Sequence, residues 1–250
     1  MSYVELPPPP ELAAHVACLW ISTGPATGPV LPDGCVDIVW RGADLVIAGP
    51  STQAFGSATG NSEPRVGLRF RVGAAGAVIG QRASDLLNAS PDVGDVWRRG
   101  DEITERVALA DSPDAKLEIL AEYVTKRVGD AAPIDLDVRR AALALSQPGT
   151  RLADIDGAVS ERQLRRRFEI AVGYSPKTLA RVLRLQRFLR LAGTGPQLAE
   201  LAYLAGYADQ SHLGRETIRL TGLSPKALLV AQFGPAGEPA LNRLDAIRIG

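Results

Sequence analysis

One feature limits the folds open to this chain more than any other: it repeats itself after forty-nine residues. "LADIDGAVSERQLRRRFEIAVGYSPKTL" (Leu152–Leu179) lies over "LAYLAGYADQSHLGRETIRLTGLSPKAL" (Leu201–Leu228) without a gap, and ten of the twenty-eight paired positions are identical. The identities include Gly157/Gly206, Leu164/Leu213, Arg166/Arg215, Gly173/Gly222 and the triplet "SPK" at 175–177 and 224–226. A period of this length, with apolar residues at helical spacing, marks one helical supersecondary unit present twice.

The residue types say what that unit is. Each copy opens on a short apolar helix, Leu152–Ile155 or Leu198–Ala205, followed by a glycine that permits a tight turn. Ser160 and Asp209 stand where a helix N-cap is needed, and Gly173 and Gly222 where a helix ends in a left-handed residue. Ser-Pro then caps and starts the next helix, since proline lacks only an N–H that is unpaired there anyway. Helix, glycine turn and capped helix make a helix-turn-helix.

On the first capped helix Leu164, Phe168 and Ala171 form one stripe, with Arg162 and Arg166 opposite and Arg165 at a flank. On the second, Leu213, Thr217 and Leu220 turn inward. Ser211, Arg215 and Ile218 turn outward, beside His212 and Arg219. Arginines on the outward, N-terminal half of such a helix suit guanine edges and phosphates in a major groove. Between the units, Ser175–Gly193 reads as one long helix with Arg181, Arg184, Arg187 and Arg190 every three residues along it. A rod of that kind would hold two recognition helices on one face of B-DNA, about 34 Å apart.

Charge agrees with a polyanionic partner. The chain is neutral, but Arg139–Phe233 carries fifteen Lys/Arg against seven Asp/Glu, a net +8 balanced by −8 elsewhere. Two cysteines, Cys18 and Cys35, are too few for a disulfide framework or a zinc cluster, so no metal and no cofactor is expected. No signal peptide and no membrane span is read, and the expected setting is cytoplasmic.

The N-terminal part reads differently. "HVACLWIS", "CVDIVW", "LVIAG" and "RVGLRFRV" are strand-like runs separated by turn residues such as "LPDG". "AAGAVIG", "GDEITERVALA" and "SPDAKLEILAEYVTKRV" are helical, and "GDAAPID" reads as a linker. The expected fold is an α+β N-terminal domain, a small sheet followed by helices, plus an all-α C-terminal domain of two helix-turn-helix units joined by a long helix. The expected boundaries are 1–130, 136–233 and a tail at 234–250. Asp33 reads as a turn former and Asp37 as facing solvent or an interface, with ligand binding the alternative for both; Cys35 reads as a small half-buried strand residue rather than a thiol sensor, and Trp20, Trp40 and Trp97 as core packing rather than pocket lining.

"SERQLRRRF", "VGYSPKTLARVLRLQRF", "LAELAYLAGYADQSHLGRE" and "LTGLSPKAL" resemble the DNA-binding domain of the AraC/XylS family of bacterial transcription regulators. The resemblance implies base-contacting roles for Arg162, Arg165 and Arg166 in the first unit and for Gln210, Ser211, His212 and Arg215 in the second. It implies recognition helices near 160–171 and 209–221. It also departs from the family: Thr217 stands where the second unit would carry a large aromatic, Ile218 replaces a polar residue, and Asp156 takes the place of a common alanine. "LPDGCVDIVW", "VIAGP" and "GLRFRVGAAGAVIG" resemble another N-terminal domain found before this module, whose ligand is generally unknown, rather than an arabinose-binding cupin.

The function expected is therefore sequence-specific binding of double-stranded DNA and regulation of transcription, with no enzymatic activity. A small-molecule effector at the N-terminal domain and a homodimer are left open, as is RNA polymerase as a partner if the protein activates. Two other readings stand beside it. One is a ligand-binding protein with a degenerate DNA-binding module; the other is a DNA-repair protein that uses a cysteine as methyl acceptor. The second lacks the reactive Pro-Cys-His setting it would need.

Overall fold

The computed structural model describes residues 2–24, 28–56, 63–155, 159–192 and 197–233. Gly157, Asp156 and the tail at 234–250 lie outside the described residues.

The first seventy residues form one antiparallel sheet. Its strands are β1 (Ser2–Leu6), β2 (Val16–Thr23), β3 (Asp37–Trp40), β4 (Leu45–Ala48) and β5 (Arg65–Phe70), in the order β1-β2-β5-β3-β4. Four follow the strand-like runs of the sequence. β1, "SYVEL", was not among them, because four prolines follow it at once and mask its alternation. β5 is last in sequence but central in space, with Ser22 opposite Arg65 on one side and Asp37 opposite Arg69 on the other.

Strand alternation gives the sheet two unlike faces. Leu19, Ile38, Trp40, Leu45, Ile47, Val66, Leu68 and Phe70 turn to a large apolar core. That core is covered by α1 (Ala75–Ile79), α2 (Val93–Val96), α3 (Gly100–Ala108) and α4 (Pro113–Gly129). α4 starts as its sequence requires, Pro113 at the first position and Ser112 Oγ accepting from the Ala115 amide at 3.1 Å. The opposite face carries Tyr3, Cys18, Trp20, Val39 and Val46, and no helix of its own domain covers it.

The C-terminal part is all helical: α5 (Leu136–Leu145), a single 3-10 turn at Leu152–Asp154, α6 (Glu161–Val172), α7 (Pro176–Ala192), α8 (Leu198–Ala205), α9 (Gln210–Thr221) and α10 (Pro225–Phe233). Two apolar clusters fill it. Leu164, Phe168, Val172, Leu179 and Leu183 centre the first, which also takes in Val138, Ala141 and Leu145 of α5. Val182, Leu185, Phe188, Leu201, Leu213 and Leu220 centre the second. α7 contributes to both, so the two units are built on a single rod.

The two parts pack closely. Val72 and Leu87 join the first helical cluster and Leu31 joins the second. Gly173, at φ 96°, ends α6 in the left-handed region, and a Cβ there would stand 2.4 Å from Pro50 and 2.9 Å from the Ala83 carbonyl oxygen. Two constraints, helix end and domain contact, fall on one residue.

Candidate nucleic-acid interface

The repeat is reproduced in three dimensions. α6 and α9 each span twelve residues, offset by forty-nine. Ser160 caps α6, its Oγ accepting from the Gln163 amide while Gln163 Oε1 accepts from the Ser160 amide at 3.2 Å. Asp209 caps α9, Oδ1 accepting from the His212 amide at 2.6 Å. Gly206 and Gly222 close α8 and α9 with φ of 91° and 73°. Ser175 and Ser224 cap α7 and α10 through the amides of Thr178 and Ala227.

The units differ in their first helix. The expected apolar helix at Leu152–Ile155 is only one 3-10 turn, whereas α8 has eight residues. Asp154 explains part of this. Its carboxylate accepts from the Arg151 amide at 2.9 Å, holding a capped turn in place of an α-helix.

Arg162, Arg165 and Arg166 are all exposed on α6, and Gln210, Ser211 and Arg215 are exposed on α9. Arg165 is steadied by Glu161 at 2.8 Å, one turn away, in a solvated pair that a stronger acceptor can replace. Arg166 and Arg215 make no hydrogen bond or ion pair among the described residues. Gly214, beside Arg215, has open space where a Cβ would stand, so this side of α9 is bare backbone. His212 is different. Its Nδ1 accepts from the Ala208 amide at 3.2 Å, its Nε2 lies 3.6 Å from Glu216, and its ring meets Tyr207 edge-on.

Thr217 is fully buried, so the second core closes without the aromatic that Phe168 supplies in the first. Its Oγ1, however, finds no hydrogen-bond partner among the described residues.

The arginines of α7 are not a free stripe. Arg181 and Arg184 both reach Glu216 of α9, at 2.9 and 3.2 Å. Arg187 donates to the carbonyl oxygens of Ala205 and Ser146, near the C-terminal ends of α8 and α5, where helix carbonyls lack partners. Arg184 also stacks on Tyr207 at 5.3 Å. Burial pushes the Arg187 pKa down, and Arg190 and Arg184 beside it add to this. In the first unit Arg167 forks onto Asp135, the N-cap of α5, at 2.5 and 2.6 Å. These positioning residues were missed from sequence. Their only signal was an acid, Glu216, on a helix otherwise read for its outward basic face.

Two N-terminal expectations need correction. Asp37 does not face solvent: it is buried on the second face of the sheet. There Arg69 Nε and Nη2 donate to it at 3.0 and 2.9 Å, and Trp20 Nε1 donates at 3.2 Å. Burial pushes its carboxyl up, and the Arg69 guanidinium opposes this. Trp20 is core, in the small cluster on that face, and also lines a cavity there. Cys35 is fully rather than half buried. Asp33 keeps its turn role, Oδ1 accepting from the Cys35 amide at 2.9 Å, and also meets Arg69 at 3.1 Å. Trp40 and Trp97 are core. Burial pushes the Cys18 thiol up to about 12 and Cys35 well above its ordinary range, which keeps both protonated and unlike a methyl-accepting thiolate. Among the described residues no helix is long and apolar enough to cross a membrane.

Comparison with known proteins agrees with this geometry. Residues 157–230 match the family model described as a helix-turn-helix domain, and residues 4–92 match one described as a domain of unknown function. Among curated proteins none matches the chain. Two solved structures are similar in chain path. The crystal structure of ToxT from Vibrio cholerae O395 has 15% identity and a TM-score of 0.46, over 85% of this chain and 96% of ToxT. A second crystal form of Vibrio cholerae ToxT has 12% identity and a TM-score of 0.43, over 92% and 99%. Residues 157–230 thus belong to a helix-turn-helix domain.

Proposed function

We propose that α6 and α9 enter two successive major grooves of a double-stranded operator, and that the N-terminal domain controls how they do so. One observation carries this: two twelve-residue helices, each with a side-chain N-cap and a left-handed glycine end and both packed on one rod, hold Arg166 and Arg215, unpaired among the described residues, at equivalent places. Arg162, Arg165 and Arg166 contact DNA from the first unit, with Gln210, Ser211 and Arg215 contacting it from the second, while His212 holds the turn that places them. The working division is a regulatory domain at 1–130 and a DNA-binding domain at 136–233.

Phosphate contacts provide most of the affinity in this reading, so binding falls steeply as salt rises. Selection of bound fragments from random double-stranded DNA tests it, with Arg166→Ala and Arg215→Ala run in parallel. The expected outcome is one enriched bipartite motif, with each variant losing preference at a different position at a cost of about 1–3 kcal/mol. No enriched motif would overturn the reading.

A further inference from the structure

α6 and α9 carry unlike chemistry at matched places. A helix lying along a major groove turns one face to the bases, built from positions i, i+3, i+4 and i+7. On α6 those positions are Arg162, Arg165, Arg166 and Glu169; on α9, forty-nine residues later, they are Ser211, Gly214, Arg215 and Ile218. The first face is four long charged side chains, all exposed. Its arginines suit guanine edges and its carboxylate suits the amine of cytosine. The second face has one cation, no acid and one branched apolar side chain.

Ile218 is 53% exposed. A single exposed apolar residue is ordinary on a protein surface, so its place on the helix carries the argument. Leu213, Thr217 and Leu220 fill the inward side of α9, and Ile218 is not part of that core. It stands two turns beyond Ser211 on the same line of the helix. Seven residues span about 10 Å, roughly the length of three base pairs, so a helix lying along the groove from Ser211 keeps Ile218 within one short run of bases.

The neighbours of Ile218 let it come close. Ser211 is short, and a Cβ added at Gly214 would meet nothing within 4 Å. Arg162 and Arg165 occupy these two places on α6, where their length holds the backbone away from the base edges. Without such side chains α9 can approach until a short one touches. A β-branched residue inside a helix keeps essentially one χ1 rotamer, so Ile218 loses little freedom on docking. In the major groove the apolar group that distinguishes a base is the 5-methyl of thymine.

We propose that Ile218 reads a thymine through its 5-methyl group, so that the half-site under α9 depends on apolar contact where the half-site under α6 depends on charge and hydrogen bonds. This rests on the proposed DNA-binding function and adds the chemistry that the second helix selects. The contact discriminates against the same base without its methyl group, whose hydrogen-bonding edge is identical.

The full chain is titrated onto the selected operator by fluorescence anisotropy, with each thymine replaced in turn by deoxyuridine, which removes the methyl group alone. At one thymine the replacement should weaken wild-type binding by about fourfold, the worth of one buried methyl group. Ile218→Ala should bind the thymine and deoxyuridine operators equally and keep the wild-type melting temperature, since the residue lies outside the core. Ile218→Val should retain the sensitivity, and Ile218→Gln replaces the alanine variant if that does not fold. A deoxyuridine effect that is the same in wild type and Ile218→Ala, or no sensitive thymine anywhere in the operator, overturns the inference and leaves DNA reading in place. Failure to select any operator overturns the DNA-reading function itself, and the inference falls with it.

Discussion

Arg181 Nε stands 2.9 Å from Glu216 Oε1, and each side chain is only 14% exposed. The pair crosses from the rod α7 to α9, and Arg184 lies 3.2 Å from the second carboxylate oxygen. Two guanidinium groups on one half-buried carboxylate set the angle at which α9 leaves the rod. Removing that carboxylate leaves both cations poorly solvated. Glu216→Ala should therefore lower stability by about 2–3 kcal/mol, below the cost at a fully buried pair because Arg184 retains some solvent. Urea unfolding at neutral pH measures it. A loss under about 0.5 kcal/mol would mean the contact is no more than an ordinary surface pair.

Thr217 poses the opposite case. Its side chain is enclosed, but its hydroxyl is unpaired, so the position bears the cost of an unsatisfied polar atom. Thr217→Val keeps the shape and removes that atom, and should raise stability by about 1 kcal/mol. Thr217→Phe, which restores the bulk of Phe168 in the other unit, should lower it by about 1–3 kcal/mol, since the core is already closed around threonine. Thermal unfolding of the two variants decides the point. A stabilising phenylalanine would show that the second unit holds a void.

How far the sequence carried the reading depended on the range of the interaction concerned. α6 and α9 were legible to within a residue, because caps, glycine ends and apolar stripes are local and were written twice. The outward, exposed placement of Arg162, Arg165, Arg166 and Arg215 was legible for the same reason. Glu216, Arg181 and Asp135 were not: an ion pair between residues 35 positions apart has no period, and an acid on a basic helix reads as solvated until its partner is placed. Asp37 was misjudged because strand alternation tells which residues share a face but not what covers that face. Ser22, Arg65, Gly67 and Arg69 did share a readable alternation. What it lacked was the order β2-β5-β3, which brings the strands together across more than forty residues.

Asp135 gives stability a pH dependence whose sign can be worked out. Burial pushes its carboxyl up, but hydrogen bonds from Arg167 and from the Val138 and Asp137 amides outweigh burial and hold it below the usual carboxylate range. A carboxyl depressed by folding contributes stability above its unfolded value, near 4, and loses it as pH falls through the folded one. Asp135→Asn preserves an N-cap and removes the charge. The variant should be less stable by about 1 kcal/mol at pH 7, a modest figure because Arg167 is well exposed to solvent. Urea midpoints at pH 7, 5 and 3 should converge as the wild type loses its advantage. A difference constant across that range would show that the charge on Asp135 contributes nothing.

His212 and Arg215 lie within one turn of the same recognition helix, but their surroundings assign them different work. The two ring nitrogens of His212 are directed at Ala208 and Glu216, and its edge packs on Tyr207, which fixes the turn between α8 and α9. Arg215 is exposed and unpaired, next to the bare backbone of Gly214. His212→Ala should therefore weaken the turn, lower the melting temperature and reduce binding to every DNA sequence alike. Arg215→Ala should leave the melting temperature in place and relax preference at one base position, at a cost of about 1–3 kcal/mol on the selected operator. If Arg215 contacts phosphate instead of a base, the loss becomes uniform and the slope of affinity against salt falls by about one unit. Selection of DNA fragments with both variants separates these outcomes. A relaxed base preference in His212→Ala would show that the ring leaves its internal partners to read DNA directly.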